Sequence, residues 1–363
     1  MTTATMNTDA LRRLKMTAST TTNIQTNIHA TDKYRRVAEQ LPEEALLGQL
    51  LWFSITSADV NLEKAQQELV NLGLPEDALP KVLRPADVFR RAAREMGHRF
   101  KPVDDTRSEV LVRAVGEDDD KAYRHLMLER ADYRTGKARR VYYEKVGEIV
   151  FTRGTKNKYG YSGFGVEVID TTADLTGDLL PEERAWLDAA MEGFEARFQH
   201  LMSHMDSHAV RAFVRKEIAR LDGVCVKESG GVYFVRQSGA EDLKKLQVWV
   251  NRIGSQFHTV PLLDLADQRQ MIAQAFEEET VAEVQRLMDE IAGILQAGTA
   301  IEERTFDQYG TRAAELTRRI NEYAEMLGDR SELAALQVQL FTGQLVSLSD
   351  QVRQPGQRRG RVA

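Results

Sequence analysis

The densest grouping of side chains that could do chemistry runs from Lys137 to Lys158. Lys137, Arg139, Arg140, Lys145, Arg153, Lys156 and Lys158 stand there against Glu144 and Glu148, with Tyr142, Tyr143, Phe151, Tyr159 and Tyr161 close by. Cations neutralise phosphates, and exposed rings stack on bases. Strand alternation places Arg139, Val141 and Tyr143 on one face and Arg140, Tyr142 and Glu144 on the other, so these groups do not all meet one ligand. The loop from Arg153 to Gly163 is the better candidate, because loops on rigid sheets carry binding groups. The set expected to contact nucleic acid is therefore Lys137, Arg139, Arg153, Lys156, Lys158, Tyr159 and Tyr161. The plain alternative is a solvated hairpin loop whose tyrosines shield the sheet.

His200, His204 and His208 recur every four residues, with Asp206 between them. Two of the three could chelate a metal. On an unbroken helix they would drift across a face, and the apolar phase slips at Asp206, which puts His208 on a separate helix. No His-Glu-x-x-His arrangement is present, and flanking or solvated histidines explain the pattern without a ligand. The expected site holds no metal ligand and no catalytic residue. Glu129, Glu144, Glu148, Glu167 and Asp170 supply the carboxylates that a metal-dependent nuclease would need, but spacing alone does not bring them together. The acidic turn Glu117 to Asp120 lacks the calcium-loop pattern.

Other chemistries are excluded or unsupported. The glycines at Gly154 and Gly160 do not open a Walker motif, and Gly163-Phe164-Gly165 lacks the third glycine and following helix of a dinucleotide fingerprint. No cofactor is implied. Cys225 is the only cysteine, which rules out an intrachain disulfide and a cysteine zinc knuckle. It has no adjacent histidine to activate it.

The elements that would carry these groups make an α+β chain. Residues 1–32 are rich in Thr and Asn with few large apolar side chains, and read as a disordered tail. Residues 33–100 read as a helical segment. In it Leu46, Leu50 and Phe53 sit at helical spacing, a second helix covers Asn61 to Leu72, and Pro85 opens a third that ends at Met96. Residues 101–180 read as an antiparallel β domain, a meander of strands over 108–115, 123–132, 138–152 and 164–170. Its turns are too short for parallel crossovers.

Residues 181–265 read as an α/β unit. A helix after Pro181 carries Leu187, Phe194, Phe198, Leu201 and Met205. A second stripe follows on Val210, Val214 and Ile218. Gly230-Gly231 then marks a hairpin between 224–227 and 232–235, followed by a helix through Leu243 and Val250 and a strand from Phe257. This order fits a small α/β sandwich or a winged-helix-like module. Residues 266–352 carry apolar seams such as Phe306, Tyr309, Ala313, Leu316, Ile320, Tyr323 and Leu327, which suit a helical bundle or a coiled coil. Residues 353–363 form a basic flexible tail.

The chain has 363 residues and a formal net charge of −6, so no global attraction to phosphate is built in. No run of residues is apolar enough to span a bilayer, and the N-terminus lacks a secretory core. The expected setting is cytoplasmic. The reading that follows is a non-enzymatic adaptor or scaffold. Its loop would bind nucleic acid or another polyanion, and its helices would bind a helical protein partner or a second copy, with no membrane partner. The alternative is a metal-dependent hydrolase or nuclease using sheet carboxylates.

Overall fold

The computed structural model describes Pro42 and residues 45–134, 136–157, 160–227, 231–297, 303–328 and 332–352. The expected disordered start and basic tail, and the site candidates Lys158 and Tyr159, lie outside the described residues. In chain order the elements are β1 (Leu46–Ser54), β2 (Asp59–Asn61), α1 (Leu62–Asn71), α2 (Pro85–Glu95), β3 (His98–Arg99), β4 (Thr106–Glu117) and β5 (Lys121–Asp132). Then come β6 (Arg139–Thr152), β7 (Thr155–Asn157), β8 (Gly160–Ser162), β9 (Gly165–Asp170), α3 (Pro181–Ser203), β10 (His204–Asp206) and α4 (Ser207–Arg220). The chain continues through β11 (Val224–Lys227), β12 (Val232–Arg236), α5 (Ala240–Arg252), β13 (Gln256–Leu263), α6 (Ala266–Ala297), α7 (Glu303–Leu327) and α8 (Glu332–Val352). The fold is α+β. The chain divides into two compact units, one of residues 57–210 and one of residues up to 56 joined with 211 onward.

In the unit of residues 57–210 the long strands pair antiparallel in the order β3-β4-β5-β6-β9. This is the expected meander, and its strands alternate because one face meets helices and the other does not. Val110, Leu126, Leu128, Ile149 and Phe151 on the covered face pack with Val88, Phe89 and Ala92 of α2 and with Leu187, Phe194 and Phe198 of α3. The rings of Phe89 and Phe151 stack with centroids 5.0 Å apart. Pro181 starts α3 with its fixed φ. Glu183 then accepts from the Leu180 backbone N–H at 2.9 Å and from Arg130 Nε at 3.0 Å, although its side chain is fully buried. Burial pushes its carboxyl up, but these bonds outweigh that and hold it below the usual range. A small second sheet pairs β2 with β10.

The other unit centres on a four-stranded antiparallel sheet in the order β11-β12-β1-β13. Here the structure corrects the helix predicted from Leu46. That segment is a central strand, bonded to β12 on one side and β13 on the other. Both of its faces are covered, so its apolar run has no period-two gap, and such a run reads equally well as helix or strand. Phe234 and Leu262 lie in one core with Ile272, Ile291, Leu316 and Phe341 of α6, α7 and α8. Leu51, Val235 and Phe257 are buried on the opposite face, where α5 packs on β12 and β13. The helix-hairpin-helix-strand order is present, with β1 inserted between the hairpin and the last strand. No helix among the described residues is long and apolar enough to cross a membrane.

Candidate metal centre

The end of α3 and the start of β10 build the site. His200 lies in the last turn of α3. The backbone turns extended at His204, with φ −129° and ψ 146°, and the helix stops. Residues 204–206 then pair antiparallel with 59–61, so that His204 faces Asn61, Met205 faces Val60 and Asp206 faces Asp59. Residues directly opposite share a face, as do residues two apart. Asp59, Asn61, His204 and Asp206 therefore stand on one side of the ribbon. Met205, on the other side, is buried. Met205 anchors the ribbon and leaves the polar set outward.

Asp59, His200 and His204 each offer one ligand atom, and these atoms lie within 4.8 Å of one another. Nε2 of His200 is 2.9 Å from Oδ1 of Asp59. The two imidazoles stack, with centroids 4.2 Å apart and planes 14° from parallel. Nδ1 of His204 lies 2.9 Å from Oγ of Ser203, whose hydroxyl reaches the Gln199 carbonyl at 2.9 Å. With the hydroxyl proton on that carbonyl, Ser203 accepts from Nδ1–H of His204. That fixes the tautomer and leaves a lone pair on Nε2 for a metal. Two imidazoles and a carboxylate at tetrahedral angles around a zinc ion, with bonds of about 2.0–2.1 Å, place donor atoms roughly 3.3 Å apart.

Charged neighbours hold the frame. Arg91 of α2 donates to Asp206 at 2.5 Å, and Ala209 N–H donates to the same carboxylate at 2.8 Å. Burial pushes the Asp206 carboxyl up, but those donors prevail and keep it below the usual range. Arg197, one turn before His200, donates to Glu95 at 2.7 Å. The bond to Glu95 raises its guanidinium, and the fields of Asp59 and Asp206 add to that. Asn61 does not join the ligands. Its Oδ1 accepts the Lys64 N–H at 3.1 Å and caps α1.

The residues expected to contact nucleic acid are not assembled in the same way. Lys137 and Arg139 are exposed, and Arg139 stands opposite Asp132 in the β5–β6 register. Arg153 turns back to Glu117 at 2.8 Å. Lys156 and Tyr161 face each other across the β7–β8 hairpin that occupies the basic loop. The sheet carboxylates are also engaged. Glu129 pairs with Arg140 at 2.7 Å, and Glu148 with Lys145 at 3.0 Å. Glu144 accepts the Thr176 backbone N–H at 2.9 Å, and Asp170 accepts the Thr172 N–H at 2.7 Å.

The purely non-enzymatic adaptor or scaffold reading is thus overturned by the convergence of Asp59, His200 and His204, a group that could hold a metal ion. Asp59 was missed because its partners lie some 140 residues away, and only the β2–β10 pairing brings them together. His208, one turn past the strand break, belongs to α4 and stands outside the triad.

No curated protein and no solved structure matches this chain. A family model does, over residues 46–354, a span that holds all three convergent ligands and most of the chain. The protein belongs to that family, described as a family of unknown function, DUF6744.

Proposed function

We propose that the protein is a divalent-metal-dependent hydrolase whose metal is held by Asp59, His200 and His204. The observation that carries this reading is the meeting of two imidazoles and one carboxylate from separate elements within 4.8 Å. Structural zinc sites are closed by four protein ligands, whereas catalytic sites use three and keep a position for water or substrate. Among the described residues this cluster offers three. A bound zinc ion would supply a water acidified to a pKa of about 7 and a Lewis acid for a carbonyl or phosphoryl oxygen.

The protein's own residues do the positioning. Ser203 holds the His204 ring in the ligand tautomer. The β2–β10 pairing holds Asp59 beside α3. His200 Nε2 lies 2.9 Å from Asp59 Oδ1, and for both atoms to hold a metal this bond would be given up, its proton passing to Nδ1 or to solvent.

The test is hydrolysis of bis(4-nitrophenyl) phosphate and 4-nitrophenyl acetate by the full chain, after chelator treatment and after reloading with zinc, manganese or cobalt. Activity should return with metal and be lost in His204→Ala. Activity that is indifferent to chelator, or retained in Asp59→Ala and His204→Ala, contradicts the assignment.

A further inference from the structure

The uncovered face of the five-stranded sheet holds a second feature, independent of the metal site. Strand register sorts its side chains into two rows. In one row Arg99, Glu109 and Glu129 follow one another across β3, β4 and β5. Glu109 and Glu129 face each other directly, an unfavourable like-charge pair. Arg99 relieves it from one side at 2.9 Å from Glu109, and Arg140 from the other at 2.7 Å from Glu129. In the next row Arg107 of β4, Ala131 of β5 and Arg140 of β6 stand side by side. Ala131 is a small floor between two guanidinium-bearing strands. Neighbouring strands are about 4.8 Å apart, so the two arginine stems flank a gap roughly 10 Å wide.

A cavity of about 410 Å³ opens at this place, and Arg99, Arg107, Ala131, Tyr133, Phe100 and Arg140 are among its walls. That volume falls in the range of small-molecule sites. The walls are fixed. The Phe100 N–H donates to the Ser108 carbonyl at 3.0 Å, and the Tyr133 N–H to the Asp105 carbonyl at 2.9 Å. The Arg107 guanidinium lies 4.4 Å above the Tyr133 ring, and no ion pair to a carboxylate is formed by it among the described residues. Three arginines against two glutamates leave the walls with one net positive charge. A planar guanidinium placed over a ring, and not paired with a carboxylate, has paired N–H donors suited to two oxygens of one oxyanion.

We propose that this cavity binds a small organic oxyanion, with the phosphate or carboxylate group over Ala131 between Arg107 and Arg140 and an unsaturated body against Tyr133. Phosphate monoesters and carboxylates share this chemistry, and the experiment separates them.

The full chain, kept in chelator so that metal bound elsewhere contributes nothing, is titrated calorimetrically with phenyl phosphate and with benzoate. One of the two should saturate at one per chain, identifying the oxyanion class. Arg107→Ala should weaken that binding at least tenfold and Arg107→Lys nearly as much, because an ammonium lacks the fork. Arg107 is exposed, so its variants should melt like the wild type, which separates lost binding from lost fold. Absence of saturable binding by both probes overturns the proposal. So does binding that Arg107→Ala leaves unchanged.

Discussion

Nε2 of His200 and Oδ1 of Asp59 meet at 2.9 Å although 141 residues separate them in the chain. An exposed hydrogen bond of this kind contributes little by itself, since both groups are well solvated alone. A third candidate ligand beside it, on the ring of His204, is what the proposed metal site adds. Histidine 204 is therefore the discriminating residue, and its removal should cost metal binding without costing the fold.

Metal should raise the melting temperature. A ligand that binds only the folded state stabilises it by about 2.7 kcal/mol when free ligand is a hundred times its dissociation constant. For a unit of this size that is a shift of several degrees. Scanning calorimetry with and without zinc should show the shift in the wild type and none in His204→Ala. An equal shift in both would place the ion elsewhere.

Glu183→Ala should destabilise the unit of residues 57–210 by about 3–5 kcal/mol, the cost of leaving one partner of a buried pair alone. Arg130, with 15% of its side chain exposed, would lose its carboxylate and keep the Asp178 carbonyl at 2.8 Å and the Tyr142 ring at 4.5 Å. Urea denaturation monitored at Trp186 should show the loss. Restored stability in Glu183→Ala with Arg130→Met would confirm that the stranded charge is the cause.

Asp222 should make the other unit sensitive to acid. It sits at φ +55° just after α4, a conformation that short polar side chains tolerate. Arg318 grips its carboxylate with two bonds of 2.8 Å, Arg236 adds one of 3.0 Å, and Tyr323 donates to its carbonyl at 2.7 Å. Burial pushes this carboxyl up, but the guanidinium groups prevail and hold it below its ordinary value. The unfolded state then takes up the proton first as pH falls. The stabilisation is complete above the unfolded value of about 3.9 and is lost as pH drops toward the folded one. Asp222→Asn should remove about 3 kcal/mol at neutral pH and flatten this acid limb. A mutant whose stability falls with acid as steeply as the wild type would assign the limb to other carboxylates.

Gly48→Ala tests the central strand that replaced a predicted helix. A Cβ there would meet the Val235 carbonyl oxygen at 2.3 Å and the Phe234 ring at 2.7 Å. Backbone cannot yield as a flexible side-chain tip can, so the cost should reach about 1–3 kcal/mol. A neutral substitution would mean that β1 and β12 are not so close.

Much of the architecture was legible because local signals carried it. Short turns and alternating residues gave the meander, Gly230-Gly231 gave the hairpin, and the slip in apolar phase near Asp206 marked a real break between α3 and α4. β1 was not legible, since a strand covered on both faces loses its period and its partners β12 and β13 come some 180 to 220 residues later. The site failed in the same way. His200 and His204 drew notice by their spacing, but the third member of the cluster, Asp59, is supplied by a three-residue strand that no local pattern announces. In the basic loop the sequence displays the charges, but not that Arg153 turns to Glu117.

The most direct test of the metal assignment is calorimetric titration of the chelator-treated chain with zinc, alongside Asp59→Ala, His200→Ala, His204→Ala and, as a control, His208→Ala. The account predicts one ion per wild-type chain, the same for His208→Ala, and at least a tenfold loss of affinity for each of the other three. No saturable binding to the wild type, or binding that survives all three ligand substitutions, would contradict it.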